Sequence, residues 1–342
     1  MAENRDEASR FGRIGTGVRL NPHPATTFGE RFAWRCEESP YPVCVGLDPR
    51  LDEIPAVIRG HALGSAGTRA DALREAITHF HKLVIEAAAD LVPAVKLQLA
   101  FYEQYGVPGM LAFCDTIAAA RRAGLLVIAD GKRNDIASTA TAYARAFLGV
   151  VDVFGEPTPA FDADALTVNP YLGWDSLVPF AEIAAQHGKG LFLLVHTSNP
   201  SSAELQEAVV EGEPVFLRVA RLVAKLEGEF FPPRETGSVG AIVGCTFPHA
   251  AASIRSTIPH APIVVVGYGA QAGKLAGCKA CFTADDRGAA VNASRSLTYG
   301  WTTAPTSDQE LVESIRARVT RMGEDLLGAL ATGASPLPRT RA

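Results

Sequence analysis

Eight short apolar runs punctuate the chain, separated by longer stretches whose apolar residues recur at helical spacing. The runs are 42–48 (PVCVGLD), 91–98 (LVPAVKLQ), 125–130 (LLVIAD), 165–170 (ALTVNP), 191–198 (LFLLVHTS), 239–246 (VGAIVGCT), 262–269 (PIVVVGYG) and 289–295 (AAVNASR). They are continuously apolar rather than alternating, which predicts strands buried on both faces, as in a parallel sheet. Helical patterns occupy 69–90, 108–124, 176–188 and 203–228, and an amphipathic stretch over 307–330 supplies a closing helix. About eight strand–helix units predict a (β/α)8 TIM barrel of one domain, with a doubly wound sheet as the alternative. Residues 1–26 are polar and aperiodic and read as a disordered or loosely attached extension. The barrel is then expected over 27–330, followed by a tail at 331–342. No internal repeat or composition shift marks a second domain.

Composition narrows the partners. The 342 residues are 47% hydrophobic, enough for one large core. Net charge is −5 and no basic stripe stands out, which argues against nucleic acid. No apolar run reaches the ~18 residues of a membrane span, and the first twenty residues lack the apolar core of a secretory signal. Six cysteines in a chain this long read as reduced thiols of a cytoplasmic protein. Cys278 and Cys281 form a CxxC, but no second pair stands at metal spacing, so no metal is expected there.

In a barrel of this kind the chemistry gathers at the C-terminal ends of the strands. Those ends carry Asp48, Lys96, Asp130 with Lys132, Asn169, Thr197 with Ser198, and Asn292 with Arg295. The third run continues as LVIADGKRNDI, where strand alternation puts Asp130 and Lys132 on one face and leaves Asp135 on the loop beyond. Alone, Asp-x-Lys-x-x-Asp is equally an ion pair with a solvated loop aspartate. Charged and polar groups at strand end after strand end favour a site. GYGAQAG (267–273) is a glycine-rich turn whose backbone N–H groups suit an oxyanion. Arg295, at the next strand exit, offers a guanidinium fork for phosphate. Together they predict a phosphorylated ligand. His196 is read as a core or strand-end histidine, and Tyr102 and Tyr105 as packing residues.

From about Thr27 to Trp301 the sequence resembles the orotidine 5′-phosphate decarboxylase family. The resemblance rests on VGLD (45–48), VKLQLAFYEQYG (95–106), DGKRNDI followed by Thr139, and TVNPYLGWDSLVPF (167–180). TSNPSSAELQ (197–206), GYGAQAG and VNASRS (291–296) complete it, and the TVNPYLG-x-DSL and TSNP blocks are similar to the bacterial subgroup with longer chains. Val266 stands where the family usually has proline, and Ala272 where glycine is usual.

The resemblance implies roles. Lys96, Asp130, Lys132 and Asp135 match the family's alternating Lys–Asp–Lys–Asp network around the reacting carbon. Asp48 matches a residue that binds a ribose hydroxyl, and Ser198 the serine that reads the pyrimidine edge. Gln271 and Arg295 match the phosphate-gripping pair. Asp135 and Thr139 match positions that reach into a neighbouring subunit's site, which implies a homodimer. The implied reaction converts orotidine 5′-monophosphate to uridine 5′-monophosphate and carbon dioxide in de novo pyrimidine biosynthesis, with no cofactor and no metal. Lys132 would stabilise the carbanion at the pyrimidine C6 and then protonate it. Two other readings remain: a sugar-phosphate enzyme that holds Mg²⁺ on the same carboxylates, and a non-catalytic nucleotide-binding barrel.

Overall fold

A computed structural model describes residues 26–268 and 275–331. The extension at 1–26 and the tail at 331–342 therefore lie outside the described residues, apart from Thr26 and Ala331.

All eight apolar runs are strands. They are β1 (Val43–Gly46), β2 (Ala94–Gln98), β3 (Leu126–Arg133), β4 (Ala165–Val168), β5 (Gly190–His196), β6 (Val239–Gly244), β7 (Ile263–Val266) and β8 (Ala289–Ala293). They close into a barrel in which each strand pairs in parallel with its sequence neighbours and β8 returns to β1. The doubly wound alternative is thereby excluded. Six of the strands stop two or three residues before the end of their apolar runs, whose last residues enter the loops; β2 ends with its run at Gln98, and β3 continues past Asp130 to Arg133.

Two apolar layers hold the barrel. Inside, Cys44, Ala94, Leu126, Ile128, Phe192 and Val264 fill the lumen. Outside, the strands pack against helices such as Arg69–Ala88, Gly106–Arg122 and Asp308–Ala331, close to the predicted spans.

The helix Phe28–Glu38 closes the N-terminal end of the barrel. Thr27 begins it with a capping box: its hydroxyl accepts the Glu30 N–H at 3.3 Å, and Glu30 accepts the Thr27 N–H at 2.8 Å. Phe28 and Phe32 are fully buried, and Phe28 meets Phe192 edge-on at 5.8 Å. Burying a ring of this size stabilises by about 1.5–3 kcal/mol. Gly190 makes the fit possible, since a Cβ there would stand 2.2 Å from the Phe28 ring.

The predicted helix over 203–228 is instead a short turn Ala203–Gln206, a hairpin pairing Val209–Val210 with Glu213–Pro214, and a helix Val215–Phe230. The hairpin turns at Glu211 and Gly212, both with positive φ (54° and 81°), as a type I′ turn requires. Pro214, which lacks an N–H, then stands immediately before the helix. A second hairpin, Val151–Val153 with Glu156–Thr158, turns in the same way at Phe154 and Gly155. Among the described residues no helix is long and apolar enough to cross a membrane.

Candidate active site

The strand exits bring three of the proposed charges into one cluster. Lys96 on β2 and Asp130 on β3 lie on paired strands, with Gln98 directly opposite Asp130 in the ladder. The Lys96 ammonium donates to Asp130 Oδ2 at 2.5 Å and Lys132 donates to Oδ1 at 2.7 Å. Gln98 Nε2 adds a bond to Oδ2 and Thr167 Oγ1 one to Oδ1, each at 2.9 Å. A carboxylate offers about four lone-pair sites, so these donors saturate Asp130. Gln98 and Thr167 were not singled out from the sequence. Their only signal was position, one at the end of the VKLQ run and one inside TVNP.

Charge balance follows from this geometry. Burial alone opposes the ionised form of Asp130, but the flanking Lys96 and Lys132 outweigh it and hold the carboxyl well below the usual carboxylate range. Burial likewise opposes the charged form of Lys96, yet Asp130 and Asp48 keep its ammonium above the ordinary lysine range. Exposure divides the two lysines. The Lys96 side chain is 5% exposed and that of Lys132 is 44% exposed, so Lys132 is the cation that faces the mouth.

Alternation is not what aligns Asp130 with Lys132. Lys132 has φ +46°, and β3 breaks register with β4 between Ala129 and Arg133. Bulges of this kind re-aim side chains beside sites.

Around this centre the other candidates are spread over the same end of the barrel. Asp48 follows β1, and among the described residues its Oδ1 is buried without a hydrogen-bond partner. Thr246 Oγ1 beyond β6 and Asn292 Oδ1 on β8 are in the same condition. These are polar atoms oriented by the fold and not used by it. Ser198, half-buried after β5, packs against Gly244, where a Cβ would come within 3.0 Å of the Ser198 backbone. Gln206 braces the preceding residue, accepting the Thr197 N–H and donating to its Oγ1, both at 2.8 Å. Arg295 is exposed at the start of the short helix Arg295–Thr298. Gln271 and Ala272 lie outside the described residues. Val266 ends β7, and its carbonyl accepts the Cys245 N–H at 3.0 Å.

Asp135 and Thr139 do not join the cluster within one chain. Asp135 accepts the N–H of its own neighbour Ile136 at 2.8 Å, and no lysine or arginine among the described residues pairs with it. Thr139 is exposed on the first turn of the helix Ala137–Leu148. Asn169 turns away as well, its side chain accepting the Tyr171 N–H at 3.0 Å.

The groups read as packing residues do pack. His196 is buried between Phe216 and Phe247 and meets Glu207 at 3.2 Å. The Tyr102 hydroxyl donates to the Leu47 carbonyl at 3.0 Å, and the Tyr105 hydroxyl accepts the Leu51 N–H at 3.1 Å. All six cysteines are free thiols; Cys278 and Cys281 are buried, and burial pushes Cys281 up to about 12. Among the described residues no group of three or more histidine, cysteine or acidic side chains is arranged to hold a metal ion.

A closed parallel barrel with charged groups drawn to its strand exits defines a (β/α)8-barrel enzyme. A family model described as Orotidine 5′-phosphate decarboxylase / HUMPS family matches residues 41–299. An orotidine 5′-phosphate decarboxylase of Rhodopirellula baltica is 41% identical over 289 residues, covering 83% of this chain and 94% of that one. Its namesake in Deinococcus radiodurans is 38% identical over 274 residues, covering 80% and 89%. Among solved structures, the Leishmania donovani OMP decarboxylase superposes with a TM-score of 0.66 at 30% identity, covering 89% of this chain and 99% of that one. The chain belongs to the Orotidine 5′-phosphate decarboxylase / HUMPS family.

Proposed function

We propose that this protein decarboxylates orotidine 5′-monophosphate to uridine 5′-monophosphate in pyrimidine biosynthesis, with Lys132 as the acid. Family membership and the named relatives support the reaction. The observation that carries the mechanism is Asp130, fixed between two ammonium groups of which only Lys132 opens to the mouth.

When the bond from C6 to the carboxylate breaks, carbon dioxide leaves and the electron pair stays on C6. A cation fixed beside C6 gains more from that localised charge than from the substrate's delocalised carboxylate, and this difference lowers the barrier. Lys132 then gives its Nζ proton to C6 and regains one from water. Asp130 stands where the departing carboxylate meets like charge, and Lys96 holds Asp130 ionised. Asp48 takes a ribose hydroxyl, Ser198 the pyrimidine edge, and Gln271 with Arg295 the phosphate. Binding energy from the phosphate, remote from C6, is available to close the site over the base.

The working unit is a homodimer in which Asp135 and Thr139 serve the partner's site. This is supported by Asp135 having no cationic partner among the described residues of its own chain. Ile136, Tyr171 and Leu172, at the exits of the adjacent strands β3 and β4, are 54%, 78% and 44% exposed, an apolar surface suited to a second copy. Cytoplasmic residence fits six cysteines that are all free thiols.

The sugar-phosphate alternative needs carboxylates open to Mg²⁺, and both oxygens of Asp130 are taken by ammonium groups. A spectrophotometric assay with orotidine 5′-monophosphate, run with and without chelator, tests the reading. Turnover that survives chelation is expected. Strict Mg²⁺ dependence, or turnover of a keto-sugar phosphate instead, would overturn it.

A further inference from the structure

Between Ala129↔Leu166 and Arg133↔Val168, β3 advances four residues (133 − 129) while β4 advances two (168 − 166). Within this irregular stretch the Lys132 N–H is met by a side chain. That side chain is Thr167, fully buried on β4: its Oγ1 accepts the Lys132 N–H at 2.9 Å and donates its own proton to Asp130 Oδ1 at 2.9 Å. One hydroxyl thus grips the backbone of one member of the charge cluster and the side chain of the other. It also spans the residue held at φ +46°, a conformation that costs a non-glycine residue about 1–3 kcal/mol and persists only where surroundings impose it.

We propose that Thr167 is a positioning residue that sets the Lys132 ammonium and the Asp130 carboxylate at their working separation. The inference rests on the decarboxylase reading above. Thr167 is fully buried, and its hydroxyl is committed to the Lys132 N–H and the Asp130 carboxylate. Its hydroxyl has one proton, which goes to Asp130, so the oxygen is left to receive the Lys132 N–H. Valine, of the same shape, can do neither, whereas serine, which lacks only the methyl group, can do both.

The test compares Thr167→Val with Thr167→Ser in the full chain. Misplacing a catalytic group by about 1 Å costs on the order of 10²-fold, so Thr167→Val should lose about that much in kcat. KM for orotidine 5′-monophosphate should stay within about threefold, because Thr167 is fully buried with its hydroxyl committed to Lys132 and Asp130. Thr167→Ser should recover kcat to within about fivefold, since it keeps the hydroxyl through which the positioning acts. Equal losses in the two variants, or a loss carried by KM alone, would show a packing role and overturn the proposal. If Thr167→Val does not fold, Thr167→Cys, of similar volume and with a much weaker donor, takes its place. A crystal structure of the variant gives a readout independent of substrate: Lys132 Nζ should move out of hydrogen-bond distance of Asp130. An unmoved Lys132 would overturn the proposal, whereas wild-type protein inert toward orotidine 5′-monophosphate but displaced in the variant would overturn only the decarboxylase reading.

Discussion

Lys96 and Asp130 meet at 2.5 Å on paired strands, both almost fully buried, with each raising the charge the other carries. Neither ion is tenable alone at that depth, because desolvating one unpaired charge costs several kcal/mol. The pair is therefore read most directly through stability.

Lys96→Met should destabilise the barrel by about 3 kcal/mol at neutral pH, the lower end for breaking a buried pair, since Asp130 keeps three other donors. The pH window follows from the two shifts. The depressed Asp130 contributes fully above its unfolded value near ~4 and loses that contribution as pH falls through its lower folded value. The raised Lys96 contributes fully below its unfolded value near ~10.4 and loses it only as pH climbs through the higher folded value. Urea unfolding of wild type and variant should thus differ by a constant amount from about pH 5 to 9. A difference that collapses by pH 9 would show that Asp130 does not hold Lys96 charged.

Lys132→Ala should abolish turnover while leaving the fold and the binding of uridine 5′-monophosphate largely intact. Its side chain is 44% exposed, so little packing is lost, and Asp130 keeps Lys96, Gln98 and Thr167. Steady-state rates and calorimetric binding check both halves. Activity within about tenfold of wild type, a barrier change of only ~1.4 kcal/mol, would remove Lys132 from the centre of the mechanism.

A separate acid sensitivity lies away from the site. Burial drives His81 down from 6.5 to about 3. Its Nδ1 lies 3.0 Å from the Tyr102 hydroxyl, which itself donates to Leu47. Between those two pH values the unfolded chain binds a proton that the folded chain refuses, so stability rises with pH across the window and falls toward acid. Burial lowers His196 in the same direction. His81→Gln should flatten the acid limb of stability against pH in urea melts, recovering roughly a few kcal/mol of the loss between pH 6.5 and 4. An unchanged slope would place the acid sensitivity elsewhere.

The strands were legible because each is buried on both faces and so reads as one unbroken apolar run. Phe192 and Val264 face the lumen, while Leu191 and Val265 face the helices. The charges at the strand exits were legible for the converse reason: Lys96 and Asp130 interrupt apolar runs, and such interruptions need a partner. The hairpins were not, because their turns use Phe154–Gly155 and Glu211–Gly212 rather than the Asn-Gly or Asp-Gly pairs that announce a type I′ turn. The helix Phe28–Glu38 left a fainter mark, a Thr27-x-x-Glu30 capping box next to a polar extension. Thr167 stayed hidden, since a threonine within a strand is ordinary and its role exists only against a bulge in the neighbouring strand.

Assembly allows a test that no single variant provides. Asp135 has no cationic partner among the described residues of its own chain, and the apolar Ile136 beside it is more than half exposed. If Asp135 completes the site of a two-fold partner, each site needs Lys132 from one subunit and Asp135 from the other. Lys132→Ala and Asp135→Ala proteins should each be inactive. Mixed and allowed to exchange, they form heterodimers in which one site carries both defects and the other carries neither. Random one-to-one pairing makes half the dimers mixed, with one sound site in each, so activity should return to about a quarter of wild type per site. Mass spectrometry of differently tagged subunits establishes that exchange took place. Exchange without recovery would assign Asp135 to the site of its own chain, and the exposed surface around Ile136 would then need another explanation.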